Sequence, residues 1–396
     1  MNEEINIIEL KDIIQDSNIN FLFGSGMSMP YLSTLGKIEQ FLTELADKKE
    51  KGEVTSDQDK IVRFALYKKY FEGAISKNLK IGLGSRNSTK VLNIYSTFLK
   101  IINAILLNRK STILNKQINL FTTNIDIFFE QSLEDTNVEY NDGFRGRFTP
   151  LFNLANFKKR VYRTSLHYDN ISELPVFNLM KIHGSLTWEK LKDTEEIIFS
   201  STLDIVSEIE MQNLPEDKLI DVDDNKNIDD LVAAAKNIKP DKSIDNFIKT
   251  YEKLAIVNPT KEKFRETVLN RNYYELLRMY SNELEKENTI LFIAGFSFAD
   301  EHIRDVTVRA LNSNPTLIIY IFSYSSIVDD GTLEIKNKSI NNNIKIITPT
   351  QIKNEDEKLE DEFKYDFQTI NERIFSSLLK KINEKDEIKR KTSLTI

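Results

Sequence analysis

The sequence predicts an α/β fold built on a largely parallel sheet, and three observations carry that prediction. Six apolar runs of strand length recur: INFLF (19–23), INLFT (118–122), FNLMKI (177–182), TILFIA (289–294), LIIYIF (317–322) and IKIIT (344–348). Most are continuous rather than alternating, as expected of strands covered on both faces. Between them, apolar residues return at helical spacing, and strand–helix alternation of this kind reads as a parallel sheet flanked by helices.

Taken in chain order, the opening MNEEINIIELKDIIQ is acidic and helix-like, unlike a signal or transit peptide. After the first run, Ile38, Phe41, Leu42 and Leu45 fall on one helical face. Nearly 95 residues separate the first two runs, and helical pattern fills 57–72 and 88–108. The interval 195–255 is polar and charge-mixed and reads as a helical insertion or a loop. Its acidic stretch, PEDKLIDVDDNKNIDD, reads as a solvated face rather than a metal site. Tyr273, Leu276, Leu277, Tyr280 and Leu284 form a helical stripe before the fourth run; Ile303, Val306 and Ala310 form another after it, with Asp300 as N-cap. Phe363, Phe367, Ile370, Ile374, Leu378 and Ile382 mark a long amphipathic helix that packs on the core or on a neighbour. The boundaries follow: 1–135 for the first part of the core with a helical insert at 36–116, and 136–254 for the third run plus a polar, largely helical insertion. The second part of the core takes 255–350, and a C-terminal helix and tail take 351–396.

Composition narrows the function. Lys plus Arg number 54 against 61 Asp plus Glu, a net charge of −7, which argues against a protein that coats nucleic acid. No run of about 18 apolar residues is apparent, so no membrane span and a cytoplasmic location are expected. Cysteine is absent, which removes disulfides, thiolate nucleophiles, iron–sulfur clusters and Cys-based zinc sites together. Three histidines, His167, His183 and His302, make a His-rich metal site improbable. Only 12 glycines occur in 396 residues, about half the usual share, so their positions are informative.

Four strand ends hold those glycines or other reactive groups. The first run passes into Gly24-Ser25-Gly26-Met27-Ser28, a loop whose N–H groups and hydroxyls can approach a pyrophosphate. The second ends in Thr122-Thr123-Asn124-Ile125-Asp126, where an amide and a carboxylate two residues apart can bond a ribose hydroxyl or a carboxamide. The third closes on His183-Gly184, the imidazole being the usual general base near neutral pH. The fourth ends in Gly295-Phe296-Ser297, another loop open to close approach, with the turn Val257-Asn258-Pro259 upstream. Taken singly, each has an ordinary structural reading: a tight turn, a helix cap or a packed histidine.

In combination and in this order, the four resemble the sirtuin-like NAD-binding fold. The resemblance covers roughly 19–35, 118–148, 176–190 and 256–325. The later block, from IVNPTKEKF through ELLRMYSNELEKENTILFIAGFSFADEHIRD, resembles a narrower group, the sirtuin-like subunits of prokaryotic antiviral systems paired with a HerA-type ring ATPase. The implied fold is a Rossmann-like, sirtuin-type parallel sheet flanked by helices, with largely helical insertions, a C-terminal helix and no zinc module. Sirtuin deacylases carry a four-cysteine zinc module, and their glycine loop continues differently from the MPYLSTLGK found here. The NAD side of the resemblance is therefore kept and the acyl-lysine side is not.

The resemblance implies that NAD+ is the substrate and that no metal takes part. Asn124 would position ribose hydroxyls or water, Asp126 would bind the carboxamide, and His183 would serve as base. Gly24, Ser25, Gly26 and Ser28 would hold the pyrophosphate with Thr123 beside them, while Gly295, Ser297 and Asn258 would face the adenosine. Depletion of NAD+ in antiphage defence, control by the ring ATPase, homo-oligomerisation and contact with nucleic acid only through that complex are implied as well. The competing readings are a nuclease, a nucleotide-sensing subunit of the same complex and an NAD-dependent protein deacylase.

Overall fold

A computed structural model describes residues 6–109, 111, 113–167, 169–191, 194, 196–223, 225–257, 271–349 and 364–384. Its centre is a seven-stranded parallel sheet. In chain order the strands are β1 (Asn18–Phe23), β2 (Gln117–Thr122), β3 (Glu139–Asn141), β4 (Val176–Lys181), β5 (Thr289–Ala294), β6 (Ile318–Phe322) and β7 (Ile344–Ile347). Across the sheet they run β7-β6-β5-β1-β2-β4-β3. The six apolar runs supply six of them, and the seventh, β3, is a short polar edge strand that the pattern of apolar runs does not mark. The protein is thus α/β with helices on a parallel sheet, an architecture compatible with a Rossmann-like fold.

Alternation along the buried strands builds two cores. Ile19, Phe21 and Phe23 of β1 and Ile118 and Leu120 of β2 join helices α1 (Ile7–Gln15), α4 (Arg86–Leu107) and α5 (Phe128–Thr136) on one face. Leu22 and Phe121 point the other way, toward α9 (Arg271–Leu284) and α10 (Glu301–Ser313). A third cluster is wholly helical: α2 (Ile38–Glu50), α3 (Ser56–Tyr70), α6 (Asp204–Glu210), α7 (Ile228–Ala234) and α8 (Lys242–Tyr251). Ile125 and Leu186, from the loops after β2 and β4, pack into it, so the helical layer lies beside the carboxyl ends of the strands. Residues 144–199 also contribute short antiparallel strands, which form a four-stranded sheet (Phe144–Arg145, Leu151–Phe152, Ile197–Phe199, Trp188–Lys190) and a separate hairpin (Val161–Thr164, Ile171–Leu174).

Register is held by polar groups as well as apolar ones. Asn20, Asn119 and Asn178 stand side by side on β1, β2 and β4. Asn119 donates to Asn20 at 2.8 Å and Asn178 donates to Asn119 at 3.0 Å. A shift of one residue would break the ladder and bury unpaired amides.

A helix can pass for a membrane span on length and composition alone, as core helices of other proteins do. Helix α4, 22 residues long, meets that test by length and composition. Its apolar stripe, including Tyr95, Phe98, Leu99 and Ile102, is buried against the sheet, the place of a core helix. Within the described part of the C-terminal segment, residues 367–384 are helical, and Phe367, Ile370, Ile374, Leu378 and Ile382 are all buried. The stripe therefore packs on the chain's own core. Phe363 lies outside the described residues.

Phe375 adds an aromatic anchor to that contact, its ring centroid 5.7 Å from Phe21, 5.7 Å from Phe98 and 5.5 Å from Phe292. Phe375→Ala should cost about 3–5 kcal/mol, because a large side chain is removed from a site with no room to collapse. Denaturant unfolding checks it; a loss under about 1 kcal/mol would mean that the helix is not docked as described.

Candidate active site at the carboxyl ends of the strands

From β1 the chain goes to β2, β3 and β4 on one side of the sheet, then returns to β5 on the other side of β1. The order reverses between β1 and β5, and in open α/β sheets ligands bind at the carboxyl ends beside such a reversal. Here the two flanking loops meet backbone to backbone. Gly24 N–H donates to Ala294 O at 3.1 Å and Gly26 N–H to Gly295 O at 3.0 Å. A Cβ on Gly24 would overlap Gly295 O, and one on Gly295, where φ is +63°, would lie 2.7 Å from Met27 N. The Gly24 and Gly295 sites are thus required by loop–loop packing, before any ligand is considered.

Ser25–Ser28 forms a single 3-10 turn rather than the start of a long helix. Ser25 faces solvent, whereas Ser28 is buried. The Ser28 hydroxyl donates to Asp126 Oδ2 at 2.7 Å and lies 2.9 Å from the Tyr95 hydroxyl. It is turned inward, away from the pyrophosphate role read from the sequence. Burial pushes the Tyr95 hydroxyl well above its ordinary pKa.

The loop after β2 is held at both ends. Thr123 N–H donates to Phe23 O at 3.1 Å, and Thr122 Oγ1 accepts Asn124 N–H at 3.0 Å. Asp126 divides its carboxylate: Oδ1 accepts Phe128 N–H at 3.2 Å at the start of α5, while Oδ2 takes Ser28. Burial raises its pKa, with Lys181 and the Ser28 hydroxyl acting against the rise. Both oxygens being engaged, a carboxamide could bind Asp126 only by sharing or displacing one of these partners. Asn124 is different. Its amide Nδ2 lies 3.5 Å from Ser28 Oγ, but its Oδ1 is buried and accepts no hydrogen bond among the described residues. A buried acceptor left so costs about 1–3 kcal/mol.

His183 follows β4, its loop pinned by Val257 N–H donating to His183 O at 2.9 Å and by a bridge between Gly184 and Ile256. Its Nε2 is 3.0 Å from Asp300 Oδ2, with the two side chains only 14% and 6% exposed. Asp300 also caps α10 as the sequence suggests, Oδ1 accepting His302 N–H at 3.0 Å and Ile303 N–H at 3.3 Å. Its second role reaches a residue far away in sequence, which local pattern could not reveal. Ser297 is exposed, and Asn258 lies outside the described residues.

Lys181, at the end of β4, is a further residue that sequence reasoning missed. It is 3% exposed and its Nζ contacts Asp126 O, Glu130 Oε1 at 2.7 Å and Ser185 Oγ at 3.0 Å. A cavity of about 700 Å³ is lined in part by Glu130, Tyr140, Asp142, Arg145 and Lys159 and by none of the glycines of the β1 and β5 loops. It is therefore separate from the glycine loops. Among the described residues, no group of three or more His, Asp or Glu side chains is arranged to hold a metal ion. No protein-family model matches the chain, and no curated protein matches it either.

Lys181→Met should destabilise the protein by about 3–5 kcal/mol, since it leaves the Glu130 carboxylate without its counter-charge and with only the Ser185 and Thr187 hydroxyls donating to it; adding Glu130→Gln should recover part of that loss. Chemical denaturation of the two variants checks it, and a double variant no better than the single would refute the pairing. Asp142 gives a pH-dependent counterpart, because burial pushes its carboxyl up to about 6 from 3.8. The folded state then holds its proton longer than the unfolded one, so this group's contribution to stability falls as pH rises through that window. Asp142→Asn keeps the acceptor for Phe144 N–H, now 3.0 Å from the carboxylate. It should stabilise the protein above pH 6, by at most about 3 kcal/mol, and give no gain near pH 3. Unfolding curves at the two pH values decide it.

Proposed function

We propose that the chain is an NAD+ glycohydrolase of the sirtuin-like kind, which cleaves the nicotinamide–ribose bond to give nicotinamide and ADP-ribose. The observation that carries this reading is the buried, unsatisfied Asn124 Oδ1 at the end of β2, close to the strand-order reversal. A buried acceptor with no partner among the described residues is suited to a ribose hydroxyl or a water, either of which can donate to it. Support also comes from the two glycine loops at the reversal and from an imidazole at the end of β4.

The chemistry asked of these residues is limited. Cleavage of the C1′–N bond sends its electron pair to the pyridinium, which leaves as neutral nicotinamide. The ribose passes through an oxocarbenium-like state, and water adds to C1′ and gives up a proton. Asn124 orients the ribose or the water, His183 takes the proton, and the Gly24–Ser25–Gly26 backbone with Gly295 borders the dinucleotide. Asp126 fixes Ser28 and the Asn124 loop in addition to any carboxamide contact. On the resemblance, the activity serves antiphage defence by depleting NAD+ and is controlled by assembly with a HerA-type ring ATPase and with further copies of the chain.

Incubation with NAD+, resolved by chromatography with and without an acetyl-lysine peptide, a ring-ATPase partner and DNA, tests the reading. Nicotinamide and ADP-ribose should appear without the peptide. Their formation should fall at least about 100-fold in Asn124→Ala and in His183→Ala, each still folded by circular dichroism. Intact NAD+ in every mixture, or wild-type rates in both variants, would refute the proposal. Nicotinamide released only with the peptide would make the protein a deacylase instead.

A further inference from the structure

We propose that Asp300 is the positioning residue of His183, fixing its tautomer so that Nδ1 is the basic nitrogen. The inference rests on the glycohydrolase reading for its kinetic half only; the tautomer half stands on geometry.

The contact joins distant parts of the sheet. His183 follows β4 and Asp300 follows β5, and β2 and β1 lie between those strands. Three inter-strand spacings amount to roughly 14 Å, so the pair closes over the carboxyl ends of the two central strands. Such a pair is more than a neighbourly contact, because both loops must lean across the crevice to make it.

Chemistry then sets the proton. Asp300 Oδ2 accepts only, so the imidazole nitrogen 3.0 Å away, Nε2, carries the hydrogen. The neutral ring is left with its lone pair on Nδ1. Nδ1 is then the ring atom that can take a proton, the carboxylate holding the imidazole in place, as in carboxylate–histidine pairs generally.

The contacts described for Asp300 supply the test. Oδ1 caps α10 by accepting two N–H groups, and Oδ2 serves His183. In Asp300→Asn the one remaining oxygen stays at the cap, where two donors await it. The amide NH2 then faces His183 Nε2, which must become the acceptor, and the hydrogen moves to Nδ1. Asp300→Asn therefore keeps the helix cap and inverts the tautomer. Asp300→Ser keeps a capping hydroxyl but does not reach the ring.

The experiment is long-range proton–nitrogen NMR on protein labelled at its three histidines, with His183→Gln to assign the signal, alongside NAD+ turnover. The wild type should show His183 protonated at Nε2, and Asp300→Asn should show it protonated at Nδ1 with an unchanged melting temperature. With turnover measured, kcat should fall at least about 100-fold in Asp300→Asn while KM changes little. Asp300→Ser should also lose kcat while remaining folded. A His183 tautomer unaffected by Asp300→Asn, or kcat lost only in variants that melt early, would overturn the proposal. A tautomer switch in a protein that leaves NAD+ intact would uphold the pair and remove the glycohydrolase reading alone.

Discussion

At the reversal of strand order, two loops lie so close that Gly24, Gly26 and Gly295 have no space for a side-chain carbon. Gly24 packs on Gly295, and Gly26 bonds to it. Everything else at the carboxyl ends of the strands is arranged around that contact. It fixes where β1 ends relative to β5, turns Met27 and Ser28 inward, and brings Ser28 to Asp126. The chain has few glycines, and three of them, Gly24, Gly26 and Gly295, are committed here because a Cβ would push the loops apart. A glycine-rich loop is often read only for what it lets a ligand do. In this protein, the same absence of side chains is needed first to close the fold.

Two carboxylates extend the design. Asp126 and Asp300 each stand at the start of the helix that follows a central strand, and each spends one oxygen on that helix and the other on a residue of the candidate site. The choice between a structural cap and a functional group, natural when reading a sequence, does not apply to either. Capping holds the carboxylate rigid, and rigidity is what lets the second oxygen position Ser28 or His183. Lys181 completes the scheme from the sheet. A buried ammonium is costly unless fully paired, and this one is met by a main-chain oxygen, a carboxylate and a hydroxyl. It thereby ties the loop after β2, the helix after that loop and the loop after β4 into one unit.

This explains which parts of the molecule could be read from the sequence. Strands β1, β2, β4, β5, β6 and β7 are legible because burial on both faces forces continuous apolar runs. Glu139–Asn141 is not, since an edge strand of three residues needs no apolar run. Candidates such as Asn124 and His183 could be named because they sit at strand ends beside glycine or a second polar residue. Their partners could not. Lys181 lies inside the apolar run FNLMKI with nothing local to mark its partners, and the contact from His183 to Asp300 joins positions more than a hundred residues apart. Asn124 presented as a helix-capping amide, and only its surroundings reveal an unsatisfied oxygen.

The C-terminal segment shows how the same limit affects ideas about partners. Its apolar stripe reads as packing on the core or on a neighbour, and Phe367, Ile370, Ile374, Phe375, Leu378 and Ile382 are spent on the chain's own core, which holds Phe21 of β1 and Phe98 of α4. What the helix leaves outside is polar: Gln368, Glu372, Arg373, Lys380 and Lys381. Any partner meeting this face would therefore meet charge, and such an interface weakens with salt and depends on complementary potential more than on buried apolar area. Removing the segment to ask whether it mediates assembly would expose the aromatic core beneath it. A changed assembly state would then report lost packing rather than a lost interface. Charge reversal at Arg373, Lys380 and Lys381, which leaves the buried stripe intact, separates the two causes.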